Sequence, residues 1–223
     1  MSIASRLADV RGRIDQAAIR SGRRPDEVRL VTVTKTVDID RVREAVAAGA
    51  SDLGENYAQE LGAKRPLIAS PVRWHFIGRL QKNKARHVTG AVELIHGVDS
   101  LALAAEIGKR AVHRGIVQDI LLEVRIDPAE TKGGVDPAEV EQLAETVGAM
   151  DGVRIIGLMG MPPICADPEN ARPYFVQLRE IFGRLPDPMR RELSMGMSGD
   201  YEVAVQEGAT IVRVGTAIFG PRR

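Results

Sequence analysis

The 223-residue sequence contains a single cysteine, Cys165. No internal disulfide can form, and a lone thiol fits a reducing compartment. No apolar run approaches the roughly 18 residues that suggest a membrane-spanning helix. The opening segment MSIASRLADVRGRIDQAA is amphipathic and mixed in charge, without the apolar centre of a signal peptide. The chain therefore reads as cytoplasmic, with no membrane partner. Neither sign of charge is in excess, since 31 Lys and Arg stand against 30 Asp and Glu. That balance leaves no electrostatic footprint for nucleic acid. The cationic stretch LQKNKARHVTG (80–90) carries Lys82 and Lys84 but no interleaved aromatic residues on which bases could stack. It reads as a solvated helix face, with a secondary anion site as the alternative. The four histidines show no metal-ligand spacing with one another or with Cys165.

What the chain does have is alternation. Of its residues, 44% are hydrophobic and 27% charged, the balance of a globular protein that can bury a core without staples. A leading helix spans 2–20, with Ile3, Leu7, Val10, Ile14 and Ala18 on one face. Short runs of strand character then recur at 28–34, 51–54, 72–78, 92–98, 119–126, 153–159, 191–197 and 209–215. Helical segments separate them: 38–48 behind Asp38, 57–64, 81–88, 100–113 behind Ser100, one beginning at Asp136–Pro137, 169–183 and 200–207. Eight such units predict a closed (β/α)8 barrel of the TIM type with an extra N-terminal helix. The whole of 1–223 is expected to form one domain. An open doubly wound sheet is the competing arrangement. It would place a glycine fingerprint after the first strand, and TKTVD (34–38) has no glycine.

In a parallel barrel, chemistry collects where the strands end at their C-terminal side. The first strand, LVTVT (30–34), ends on Lys35; the second leads into Glu55 and Asn56. The seventh runs into Ser198 and Gly199, and the eighth supplies Arg213, Gly215 and Thr216. Closure brings strand eight beside strand one, so these groups should face Lys35. Ser198 and Thr216 offer hydroxyls, while Gly199 and Gly215 let backbone N–H groups approach an anion. The loops after strands seven and eight are the usual phosphate site of such barrels. Burial and a neighbouring cation both favour the neutral amine of Lys35, which attacks aldehydes to form a Schiff base. A ligand with a phosphate and an aldehyde meets both demands, and pyridoxal 5′-phosphate (PLP) is one. Arg213 can then donate to the ring nitrogen and keep it an unprotonated acceptor, which makes the ring a weaker electron sink. A sugar-phosphate aldolase with a lysine Schiff base remains open on spacing alone, although such lysines usually sit on later strands. Asn56 also suits a helix cap, and Arg213 a structural ion pair.

Several longer strings carry a resemblance. VTKT, GENYAQE, WHFIGRLQKNK, GLMGMPP and LSMGMSGDYEVAVQEGATIVRVGTAIFG span residues 33 to 220 in one order. In these motifs the chain resembles the pyridoxal phosphate homeostasis protein family, which is similar to the N-terminal barrel of alanine racemase. The resemblance implies PLP fold type III, with PLP held as a Schiff base on Lys35. It implies that Asn56 lines the cofactor ring and that Arg213 faces the pyridine nitrogen. It gives the phosphate to Ser198, Gly215 and Thr216, and packs Met197 and Met159 around the ring. Lys132, in ETKGG, matches a basic loop position with a suggested part in passing PLP on. Family members are described as PLP carriers or regulators without established turnover.

The same resemblance frames an alternative, a PLP-dependent amino-acid racemase. Barrel racemases deliver a tyrosine acid/base to the far face of the cofactor from a second, β-rich domain. Here the sequence ends eight residues after Gly215, and its three tyrosines are Tyr57, Tyr174 and Tyr201. Racemisation then lacks one of two proton carriers. The expectation is a non-catalytic PLP carrier, monomeric, touching PLP-requiring apoenzymes only transiently. His75 is expected as a hydrogen-bonded residue near the rim, and the methionines as pocket wall and core.

Overall fold

The computed structural model describes residues 1–129 and 133–221. Helix α1 (Ile3–Arg20) leads into β1 (Arg29–Val33), α2 (Ile39–Ala47), β2 (Asp52–Glu55) and α3 (Ala58–Lys64). Next come β3 (Arg73–Phe76), α4 (Ala85–Val88), β4 (Leu94–Val98), α5 (Leu101–His113) and β5 (Gln118–Val124). The remainder is α6 (Val140–Gly148), β6 (Val153–Gly160), α7 (Arg172–Arg184), β7 (Glu192–Ser194), α8 (Tyr201–Gln206), β8 (Ile211–Val214) and α9 (Thr216–Phe219). The eight strands pair in sequence order, all parallel, and β8 closes onto β1. The predicted (β/α)8 barrel is therefore the architecture observed, and α1 is its extra helix.

Period-two alternation sorts each strand into two faces. Val31 and Val33 of β1, Leu94 of β4, Leu121 of β5 and Ile211 of β8 join an inner cluster. Leu53, Trp74, Phe76, Leu193, Val212 and Val214 point outward into a larger cluster beneath the helices. Helix α1 buries Ile3, Leu7, Val10, Ile14, Ala17 and Ala18 in that outer layer. Its N-cap, Ser2, accepts the Ser5 N–H.

Two helix starts differ from the sequence reading. Asp136 Oδ1 accepts the Ala138 N–H at 3.0 Å, and Oδ2 accepts from Arg125 at 2.6 Å. These bonds fix a turn, and the helix proper begins only at Val140. Ser100 occupies the cap of α5, but its backbone carbonyl, not its hydroxyl, receives the first N–H groups, from Leu103 and Ala104.

Two glycines of β6 mark close approaches. A Cβ on Gly157 would overlap the carbonyl of Glu192 on β7. A Cβ on Gly160 would instead meet the side-chain ends of Leu178 and Ile126, at 2.8 and 2.9 Å.

The N-terminal mouth of the barrel is closed by charge. Asp52 opens β2 and is 2% exposed. It takes a bidentate pair from Arg73, at 2.7 and 2.6 Å, and bonds from Ser51 and His75. Burial alone would raise its pKa; the bonds from His75, Arg73 and Ser51 outweigh that and hold it well below the usual carboxylate range. A carboxylate depressed in the native state contributes stability above its unfolded pKa of about 4, and that contribution fades as acid lowers the pH further. In Asp52→Asn, urea midpoints should fall at pH 7 by the equivalent of roughly 1–3 kcal/mol. The gap to wild type should narrow as the pH is taken below about 4. A variant whose midpoint tracked wild type across that range would refute this assignment.

Candidate functional site

Lys35 lies two residues beyond the end of β1, and the turn that carries it is held from several sides. The Thr34 N–H bonds the Gly54 carbonyl at 2.9 Å, and the Val37 N–H bonds the Thr34 carbonyl at 3.0 Å. Thr34 Oγ1 donates to Glu55 at 2.7 Å. Lys64 Nζ, from α3, donates to the Thr34 carbonyl at 2.7 Å, to Glu55 Oε1 at 2.8 Å and to Glu60 Oε2 at 2.6 Å. Glu60 Oε2 also accepts the Thr36 N–H at 2.8 Å. Thr36 sits at φ 59°, a region that β-branched residues avoid. The strain is local to the residue after Lys35, and the cluster around Lys64 supports it.

A cavity of about 350 Å³ opens between this turn and the C-terminal ends of β7 and β8. That volume lies at the lower end of the range of small-ligand sites, about 300–1,000 Å³. Lys35, Asn56, Met197, Ser198, Arg213, Gly215 and Thr216 all line it. The structure thus brings these seven residues to one cavity, while Met159, also nominated for the ring, is buried in the core and does not line it. Val31 pairs with Arg213 in the β1–β8 ladder, which sets the two strand ends side by side. Gly215 permits that closeness: a Cβ there would stand 3.2 Å from the Cβ of Val33.

One end of the cavity is a cradle of backbone donors. Ser198 Oγ accepts the N–H groups of Gly215 at 3.2 Å and Ala217 at 3.3 Å. Gly199 has open space where a side chain would be. The Met197 N–H is taken by Asp200, whose carboxyl is raised by burial although that bond and Arg213 pull it down. Arg213 is 4% exposed and donates to Ser194 Oγ at 2.5 Å and to the Gly160 carbonyl at 3.2 Å. Burial pushes its pKa down to about 10, against the pull of Glu123 and Asp200, so it remains a cation at neutral pH. Asn56 presents a buried Oδ1 with no partner among the described residues.

Met161 was expected as pocket wall or core, and the rest of its loop extends that wall beyond what the sequence placed there. Met161, Pro163, Ile164, Cys165 and Pro168, from the loop after β6, form a wall of the cavity. The Cys165 thiol donates to the Pro163 carbonyl at 3.4 Å. Met159 and Met195 are core, while Met161 and Met197 are wall. Lys64 was missed because Glu60 and Lys64, four apart, look like any surface helix pair. Their only signal was the Glu55 that ends β2 beside them. His75 is fully buried inside the barrel and not at the rim. Tyr57 is 54% exposed and lines a larger neighbouring cleft of about 1050 Å³, together with Lys82 and Lys84. That cleft shares Asn56 with the smaller cavity, but Lys35 and Arg213 do not line it. Lys132 lies outside the described residues.

The family model described as "Alanine racemase, N-terminal domain" matches residues 7–223. The pyridoxal phosphate homeostasis protein of Aquifex aeolicus is 45% identical over 231 residues, covering 100% of both chains. That of Pseudomonas aeruginosa is 40% identical, over 99% of this chain and 96% of its own. Among solved structures, PipY of Synechococcus elongatus with PLP bound superposes with a TM-score of 0.84 at 36% identity, covering 98% of this chain and 100% of that one. Alanine racemase of Bartonella henselae shares the barrel alone, with a TM-score of 0.74 at 13% identity, and the match covers 99% of this chain but 60% of the racemase.

The strain at residue 36 is open to direct measurement. Thr36→Asn supplies a residue that tolerates the left-handed region. Its thermal stability should rise by the equivalent of about 1 kcal/mol. A Thr36→Asn protein less stable than wild type would show that the Thr36 side chain contributes more than its backbone costs.

Proposed function

The chain belongs to the alanine racemase N-terminal domain family and, within it, to the pyridoxal phosphate homeostasis proteins; from that premise we propose that it binds PLP at Lys35 and serves as a carrier of the cofactor rather than as an enzyme. The observation that carries this reading is the single cavity lined by Lys35 at one side and by Ser198, Gly215 and Thr216 at another. PLP supplies, when bound, an aldehyde for a primary amine and an electron-withdrawing ring.

The residues present fit that group. The Gly215 and Ala217 N–H groups, already converged on Ser198 Oγ, are the donor set that a phosphate dianion takes. The hydroxyls of Ser198 and Thr216 add to it. The orphaned amide oxygen of Asn56 is a polar atom that awaits a ligand partner. Met197 gives a polarizable surface for a flat ring. Arg213 has no acceptor capacity, so it holds a ring nitrogen only as an acceptor.

That last property bears on how strongly the ring would draw electrons. A permanent guanidinium donor leaves the ring nitrogen unprotonated and weakens its pull on electrons. Proton transfer at both faces of a substrate would also need an acid/base opposite Lys35. No tyrosine lines the cavity among the described residues: Tyr57 faces the neighbouring cleft, and the Tyr201 ring lies under Arg13 at 5.7 Å. Asp200 and Cys165 do line it, but Asp200 is committed to the Met197 N–H and Cys165 to the Pro163 carbonyl. The reading further takes the protein as a cytoplasmic monomer, consistent with its one thiol, that meets PLP-requiring apoenzymes transiently.

Purified protein incubated with PLP should gain the visible absorbance of the bound cofactor. Borohydride reduction followed by peptide mapping should place the label on Lys35, and Lys35→Ala should remove it. A label on any other lysine would contradict the site. Amino acids incubated with the loaded protein in D2O should keep their α-protons by NMR. Rapid exchange or racemisation would make the protein an enzyme and end the carrier reading.

A further inference from the structure

Arg213 does not end at the cavity. Its Nη1 donates to Ser194 Oγ at 2.5 Å, deeper in the barrel. Ser194 Oγ lies 2.9 Å from His96 Nδ1. His96 Nε2 lies 3.0 Å from His75 Nδ1, and His75 Nε2 lies 3.1 Å from Asp52 Oδ1. The two rings meet edge to face, with centroids 5.3 Å apart. Ser194, His96 and His75 have no exposure, and Asp52 has 2%. The four come from β7, β4, β3 and β2, so the chain crosses the barrel interior from the cavity floor to the N-terminal mouth.

Proton counting gives this chain a direction. A guanidinium only donates, so Ser194 Oγ accepts from Arg213. The hydroxyl has one proton to give, and His96 Nδ1 is its remaining neighbour in the chain. A bond in that sense makes His96 Nδ1 an acceptor and puts the ring proton on Nε2. His96 Nε2 then donates to His75 Nδ1, and His75 Nε2–H points at Asp52. A carboxylate accepts only, so the far end demands the same polarity as the near end. Reversal would strand the Ser194 proton in a buried site. Burial of His96, with the nearby Arg213, keeps that ring from charging, which agrees with the neutral form the counting requires.

Building on the PLP reading, we propose that Ser194, His96, His75 and Asp52 form a one-way chain of hydrogen bonds that positions the Arg213 guanidinium against the cofactor's ring nitrogen, with His96 as the positioning residue. Without an acceptor for its hydroxyl proton, Ser194 rotates, and Arg213 keeps only the Gly160 carbonyl as a fixed partner.

Two measurements on the full-length protein test this. Long-range 1H–15N spectra of histidine-labelled protein, with and without PLP, should show His75 and His96 as neutral rings protonated at Nε2. A proton on His96 Nδ1, or a doubly protonated ring at either position, overturns the chain. In PLP titrations, His96→Leu should bind about tenfold more weakly, the size of one hydrogen bond to a charged group, with a shifted visible band but with Lys35 still the reduced residue. His96→Asn, which returns an acceptor near the place of Nδ1, should restore affinity and band. Equal loss in both variants, or wild-type binding by His96→Leu, overturns the positioning role. If neither variant folds, the tautomers of the wild-type rings decide. A wild type that fails to bind PLP would sink the cofactor reading, and the same tautomers would still judge the chain.

Discussion

Four register pairs, from Arg29 with Ile211 to Thr32 with Val214, hold β8 against β1, and this seam is the constraint on which the site depends. The two strands are about 180 residues apart in sequence, a long loop whose closure costs entropy before any contact returns it. Once the ladder forms, Lys35 and the Gly215–Thr216 turn are set beside each other without a local motif joining them. A shift of β8 by one residue against β1 would turn Arg213 to the opposite face and remove the cation from the cavity. Parallel pairing, side-chain alternation and closure are thus sufficient to place an amine beside a cluster of backbone donors.

The interior that results is unusual in its polarity. An apolar inner cluster shares the barrel with Arg213, two histidines, Ser194 and Asp52. A buried guanidinium loses hydration worth far more than its pairwise attraction to a single carboxylate returns. Arg213 instead has two neutral acceptors and, at longer range, Glu123 and Asp200. Burial raises both of those carboxyls, and for Glu123 the nearby Asp99 raises it further. The cation is therefore tolerated by dispersed partners, which leaves its outer edge available to a ligand. Where β2 meets α3, the Glu55–Lys64–Glu60 group is a second, largely buried ionic cluster, devoted to the backbone of the Lys35 turn.

Much of this could be read from residues alone, and the exceptions have physical reasons. The strand ends were legible because a β-branched run that stops at one lysine, and an Arg-Val-Gly-Thr string that follows another such run, are local patterns. Closure of the barrel supplied their neighbourhood. Met161 was legible as wall or core, but the Ile164–Pro168 part of that wall was not, because a loop's path depends on what it packs against, and nothing in ICADP fixes that path. Asp136–Pro137 has the chemistry of a helix cap, yet the same chemistry builds the turn that it forms here beside Arg125. His75 and His96 occupy strand positions that alternation could assign to the inner face. Whether the two rings touch depends on the stagger between β3 and β4, a property of closure that neither strand encodes by itself.

The two glycines of β6 have different futures under mutation. At 157 the obstacle to any side chain is a main-chain carbonyl, and no replacement at Glu192 can remove a main-chain atom. At 160 the obstacle is the mobile ends of Leu178 and Ile126, which smaller residues can vacate. Three positions apart on one strand, the first is closed to evolutionary drift while the second can grow through compensating changes in the layer behind it. Diversification of this barrel wall has a route at 160 and none at 157.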